Sequence, residues 1–259
     1  MKARILFFFY LLLIISIKVT AQTSKKLEAD LLKSFRTINY WTVQTSGDTT
    51  GTIIDSLDLA NDEFRSILGK YASKYPFTIK FPFDSLTNAG LGILTSADGQ
   101  LRIYSWDMGT GGTQGAMTNL FQYKIGDQTD TLSDVPTGSL GSPADFKEIY
   151  RFTANGKTCY AIIYAAAEGF NDHWEGLMIF GIRNKKLDYG INLIKTTSGL
   201  NSHLDCYYRS GVDGVSGTEI NFNSKTKTIK FPLIDEDNHM TSKSIVYKFN
   251  GRYFIRIKN

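Results

Sequence analysis

The residues best suited to chemistry gather at the end of one strand-like run. Leu101-Arg102-Ile103-Tyr104-Ser105-Trp106 leads into Asp107, and Gly109, Gly111, Gly112 and Gly115 follow at once. An indole offers a flat face for stacking, a carboxylate accepts hydrogen bonds from hydroxyls or amines, and glycines let a backbone lie close to a ligand. Trp106, Asp107, Gly109, Gly111 and Gly112 are therefore the candidate ligand-binding residues. A structural reading stands beside this one, in which the glycines let the loop pass under another element while Trp106 plugs the core. Core packing is what the tryptophan residue type favours.

Other chemistries find less to work with. Gly109-x-Gly111-Gly112-x-x-Gly115 has the glycine content of a dinucleotide-binding turn, but a strand rather than a helix follows it, and no P-loop lysine is present. His173, His203 and His239 share no metal-ligand spacing, and neither His-Glu-x-x-His nor Gly-x-Ser-x-Gly occurs. Asp235, Asp237 and Asn238 supply hard oxygens suited to Ca²⁺, yet the loop lacks the glycine and distal glutamate of an EF-hand. No metal or cofactor is expected. Tyr104, Trp106, Asp107, Trp174 and Glu175 are the residue types of a glycan or peptide groove, and a carboxylate pair at the right separation performs glycoside hydrolysis.

The chain opens as a secretory leader does. Lys2 and Arg4 precede the apolar run Ile5 to Ile17, and Val19-Thr20-Ala21 forms a small-residue cleavage site, so residues 1–21 are read as a signal peptide. The run is too short to span a bilayer, and no membrane span is expected once it is removed. The formal charge of +4 comes mostly from Lys2, Arg4 and Lys18 in the leader. A nearly neutral remainder without a basic block argues against nucleic acid as a partner. The expected address is the periplasm or the cell exterior, where disulfides form. Cys159 and Cys206, each beside a tyrosine in a strand-like run, are the candidate disulfide; two buried thiols are the alternative.

Leu27, Leu31, Leu32, Phe35 and Ile38 recur at helical spacing, and Tyr40 to Val43 reads as a short extended piece. Leu57, Ala60, Phe64, Ile67, Leu68 and Tyr71 predict a second helix ending before Pro76. From Phe77 the period changes to two. Tight-turn pairs at Asp98-Gly99, Asn155-Gly156, Asn184-Lys185 and Asn250-Gly251 separate strand-like runs, the last being Tyr253 to Ile257. The fold class expected is α+β and mainly β: a helical segment over 22–76, then a largely antiparallel β domain over 77–259, built as a sandwich, a partial barrel or a curved sheet.

Two resemblances complete the reading. Ala21-Gln22 at the cleavage junction resembles that of secreted proteins of the Bacteroidota. The segment from Phe64 to Tyr123, with Lys74-Tyr75-Pro76, Leu94-Thr95-Ser96-x-Asp98-Gly99, Arg102 to Asp107 and Gly111-Gly112-Thr113, resembles a group of uncharacterised secreted bacterial proteins. That resemblance adds weight to Trp106, Asp107 and the glycines and implies no activity. The expected function is a non-catalytic binding or envelope-associated module whose ligand the sequence leaves unknown, glycan and peptide being the candidates. The alternative is a hydrolase acting on glycan or peptide.

Overall fold

The stripe of Leu27, Leu31, Phe35 and Ile38 does what its spacing dictates and buries one face of α1 (Lys2–Thr45). The computed structural model of the chain describes residues 2–45, 52–110, 116–138, 144–167, 171–209 and 219–257. Tyr40 to Val43, expected to be extended, are instead the last turns of α1, where the Thr42 hydroxyl donates to Ile38 O at 3.0 Å. Of the aromatic and β-branched residues that suggest a strand here, Trp41 lies against the helical core while Tyr40 and Val43 are exposed. In α2 (Thr52–Lys74), Leu57, Ala60, Phe64, Leu68 and Ala72 face the same core. Among the described residues no helix is long and apolar enough to cross a membrane.

Phe77, Ile79 and Phe81 alternate as in a strand, but Pro76 starts a 3₁₀ turn over Pro76–Ile79. Proline fixes its own φ and tolerates the first helical position, and the turn closes with Thr78 N–H donating to Tyr75 O at 3.0 Å. The short helix α3 (Asp84–Asn88) follows.

Three sheets come next. The first has the order β1 (Gly92–Thr95), β2 (Leu101–Asp107), β3 (Met117–Ile125), β4 (Gln128–Ser133), all antiparallel. The second begins with β5 (Asp145–Ala154), β6 (Lys157–Ala167) and β7 (Asp172–Arg183), with the short β8 (Lys186–Asp188) paired to β7. The Asn155-Gly156 turn between β5 and β6 has φ of 51° and 72°, the doubly left-handed geometry whose twist matches a two-residue hairpin. After β9 (Ile194–Thr196) and β10 (Gly199–Asn201), β11 (His203–Arg209) returns to the outer edge of β7. The third sheet is completed by β12 (Asn221–Asn223), β13 (Thr228–Ile234), β14 (Met240–Phe249) and β15 (Phe254–Ile257), in the order β10-β9-β15-β14-β13-β12. Its one parallel pair is β15 with β9. The last strand is thus hydrogen-bonded on both sides, and Phe254 is fully buried, a burial that contributes roughly 1.5–3 kcal/mol.

Alternation sorts the side chains into layers. On β2, Tyr104 and Trp106 face the helices, whereas Leu101 and Ile103 face the second sheet. On β6 and β7, Tyr160, Ile162, Tyr164, Met178 and Phe180 face the first sheet, and Ala161, Ile163, Leu177 and Ile179 face the third. The second sheet is therefore covered on both sides, which is why its central strands read as unbroken apolar runs. Helices, first sheet, second sheet and third sheet stack in that order, and none of the sheets closes into a barrel.

Candidate functional site

Trp106 lies in the core between the first sheet and the helices, 1% exposed, with its ring edge-on to Phe64 at 5.1 Å between centroids. Its indole N–H donates to Asn61 Oδ1 at 3.0 Å, and Asn61 Nδ2 donates in turn to Leu57 O and Met108 O at 2.9 Å. Asp107 is exposed, and its Oδ1 accepts the amides of Gly109 and Ala116, closing the base of the loop. Gly109 has φ of 77°, and a Cβ there would stand 2.2 Å from Thr42 Oγ1 on α1, so the loop enters by passing close under the helix. Gly111 and Gly112 lie outside the described residues. With its indole buried, Trp106 has no face to offer a ligand; it ties the loop to α2.

The remaining chemical residues do not converge with it. Trp174 borders Tyr207 in the second sheet, while Tyr104 is buried beneath Phe83 in the first, its hydroxyl pushed up to about 12 by burial. Glu175 points to the opposite face from Trp174, 1% exposed, and accepts from the Tyr208 hydroxyl at 2.7 Å and the Glu219 amide at 2.8 Å. Burial raises its acid above the usual carboxylate value, against the pull of those donors. His173 stacks on Tyr208, His203 sits by the Ser202 hydroxyl, and His239 lies in the β13–β14 turn. Among the described residues, Asp235, Asp237 and His239 bring donor atoms within 4.8 Å of one another. All three are exposed, and Asp235 already accepts the amides of Asp237 and His239, the hydrogen bonding of a tight turn.

The expected disulfide is not formed. Cys159 and Cys206 do occupy the same sheet, but both are free, buried thiols and β7 runs between their strands. Cys206 is level with Glu175, which is level with Ala165 on β6. Cys159 is thus about 20 Å further along and two strands across, where a bridge needs Cα atoms within about 7 Å. Burial pushes the Cys206 thiol up to about 12; it also raises Cys159, whose sulfur accepts from Arg183 Nη2 at 3.2 Å.

A different set of residues is brought together where hairpin ends of the first two sheets meet. Asp98, Gln100, Lys124, Lys157, Tyr160 and Arg183 line an open groove of about 480 Å³. Asp98 is its single acid and is fully engaged. Its Oδ2 accepts from Arg151 Nε at 2.9 Å and the Tyr160 hydroxyl at 3.1 Å, and its Oδ1 from the Ser96 hydroxyl at 2.7 Å. Burial and the neighbouring Asp98 raise the Tyr160 hydroxyl, which stays a proton donor. Arg183 is anchored by Nη1 donating to Thr158 O at 2.9 Å. Among the described residues, Lys124, Lys157 and Arg183 have no carboxylate within ion-pair distance. Among the groove's lining residues three cations face one acid that is already paired, which leaves a positive field over a concave surface.

Sequence reasoning passed over these cations because each is an ordinary basic residue in its own hairpin. The signal was their position: Lys124 precedes the Gly126-Asp127 turn, Lys157 follows Asn155-Gly156, and Arg183 precedes Asn184-Lys185. Basic residues beside successive tight turns share a site once the turns lie at one end of stacked sheets. No protein-family model, curated protein or solved structure matches the chain.

Proposed function

We propose that the protein is a non-catalytic binding module working in the periplasm or outside the cell, and that the groove at Lys124, Lys157 and Arg183 takes the carboxylates of an acidic glycan or acidic peptide. The carrying observation is the trio of cations that form no ion pair among the described residues, around a groove whose one acid, Asp98, is already held by Arg151, Tyr160 and Ser96. Arg183 is held by Thr158 O, Ile182 O and Cys159 Sγ and contributes a fixed positive charge at the groove wall, and the two lysines add mobile point charges that can reach a carboxylate. The address is supported by the basic start at Lys2 and Arg4, the apolar run to Ile17 and the small residues before Gln22. It is supported too by the resemblance of the Phe64 to Tyr123 segment to secreted bacterial proteins.

Hydrolysis by paired acids has less behind it. The groove supplies one carboxylate where a glycosidase uses two, and that one is consumed by structural hydrogen bonds. Binding is tested by calorimetric titration with hexagalacturonate and with an oligoglutamate peptide, using the parent and Lys124→Ala/Lys157→Ala. The double variant is expected to weaken at least one of the two about tenfold or more at low salt. Unchanged affinity in the variant, or binding of neutral oligosaccharides in preference to both probes, overturns the reading.

A further inference from the structure

The outward face of the third sheet carries basic side chains and no acidic ones from its strands. The six strands of that sheet contain no aspartate or glutamate; of their five basic residues, Lys243 and Arg256 share the parity of the inward Tyr247 and Phe254, and Lys195, Lys230 and Lys248 take the other. The inward face is fixed by Ile194, Phe222, Ile229, Phe231, Tyr247 and Phe254, all in the core against the second sheet. Alternation then turns Lys195, Lys230 and Lys248 outward, and all three are exposed.

The register places them. Leu200 pairs with Lys195, Lys195 with Ile255, Ile255 with Lys248 and Lys248 with Thr228, one row across the sheet. In the next row Ile257 pairs with Val246 and Val246 with Lys230. With strands about 4.8 Å apart, Lys195 and Lys248 stand about 10 Å apart, and Lys230 lies diagonal to Lys248 at about 7–8 Å. Between and beside the lysines lie Ile255, Val246, Ile257 at 37% exposure and Leu200 at 46%. None of these three ammonium groups has an acidic partner among the described residues.

We propose that this face lies against an anionic lipid bilayer. Charge complementarity selects an anionic surface, and the interleaved Ile255, Val246, Ile257 and Leu200 select one with an apolar layer beneath its charges; a hydrated polyanion would leave those side chains in water. The lysine stems reach past the branched residues to headgroup phosphates while the isoleucines settle at the acyl boundary. This surface is separate from the groove, which is bounded by the first two sheets.

The test is flotation of the full chain with vesicles of phosphatidylcholine alone and of phosphatidylcholine with 30% phosphatidylglycerol, beside a heparin column. The parent should partition onto the anionic vesicles only. Lys195→Gln/Lys230→Gln/Lys248→Gln should lower the partition coefficient about a hundredfold, near fivefold per lysine, while Lys124→Ala/Lys157→Ala leaves it unchanged. If the triple variant fails to keep the parent melting curve, Lys248→Gln alone should show its fivefold loss. Equal binding by parent and lysine variants, equal binding to both vesicle types, retention on heparin without vesicle binding, or loss only in the groove variant overturns the proposal.

Discussion

The indole N–H of Trp106 and the side-chain oxygen of Asn61 meet at 3.0 Å in a space from which both are almost wholly screened, at 1% and 2% exposure. One bond joins the first sheet to α2, and through Asn61 Nδ2 and Met108 O it also fixes the loop that follows Asp107. Trp106→Ala should therefore act on stability. Removing the ring leaves a cavity against Phe64 and an unpaired Asn61 oxygen, a loss of roughly 3–5 kcal/mol. Urea denaturation followed by circular dichroism measures it, and a midpoint close to the parent's would return Trp106 to a surface role.

The two cysteines give a second expectation. Because β7 separates Cys159 from Cys206, alkylation of the unreduced, denatured protein should add two labels per chain by mass. The melting temperature should be the same with and without reductant. A mass showing no label, with a melting temperature that drops on reduction, would contradict the strand order.

How far the sequence showed all this depends on the range of the interaction. The two faces of β2 were legible from Leu101 and Ile103 alternating with Tyr104 and Trp106, and the Asn155-Gly156 hairpin from its turn chemistry, since both are local properties. Pro76 turned an apparent strand at Phe77 into a 3₁₀ turn, a case where one residue's fixed φ overrode the period. The helical state of Tyr40 to Val43, where Trp41 packs on the helical core, and the distance between the cysteines were not legible, because the docking of Trp41 and the strand order both join segments remote in the chain. The groove failed for the same reason: Asp98, Lys124, Lys157 and Arg183 are unremarkable alone and acquire meaning only when two sheets stack.

Glu175 supplies a pH test. Burial raises its acid above the ordinary value of 4.5, so the native state holds this proton more tightly than the unfolded chain does. The residue thus contributes stability below that unfolded value and loses it as pH rises through the higher native one. Glu175→Gln cannot titrate. The stability of the parent minus that of the variant should fall as pH rises above the ordinary value of 4.5 and through the higher native one, and then level off, read from urea midpoints at a series of pH values. A difference that grows with pH would mean that the hydrogen bonds from Tyr208 and Glu219 outweigh burial.

The central claim is that an acidic ligand sits among Lys124, Lys157 and Arg183, and amide chemical-shift mapping tests it most directly. Titrating labelled protein with hexagalacturonate or the oligoglutamate peptide, in physiological salt, should perturb Gln100, Lys124, Lys157, Thr158 and Arg183 in a saturable way. The amides of Lys195, Lys230 and Lys248 on the third sheet should stay still. Shifts centred on Asp107 and Gly109, or spread evenly over every lysine on the surface, would contradict the assignment of the groove.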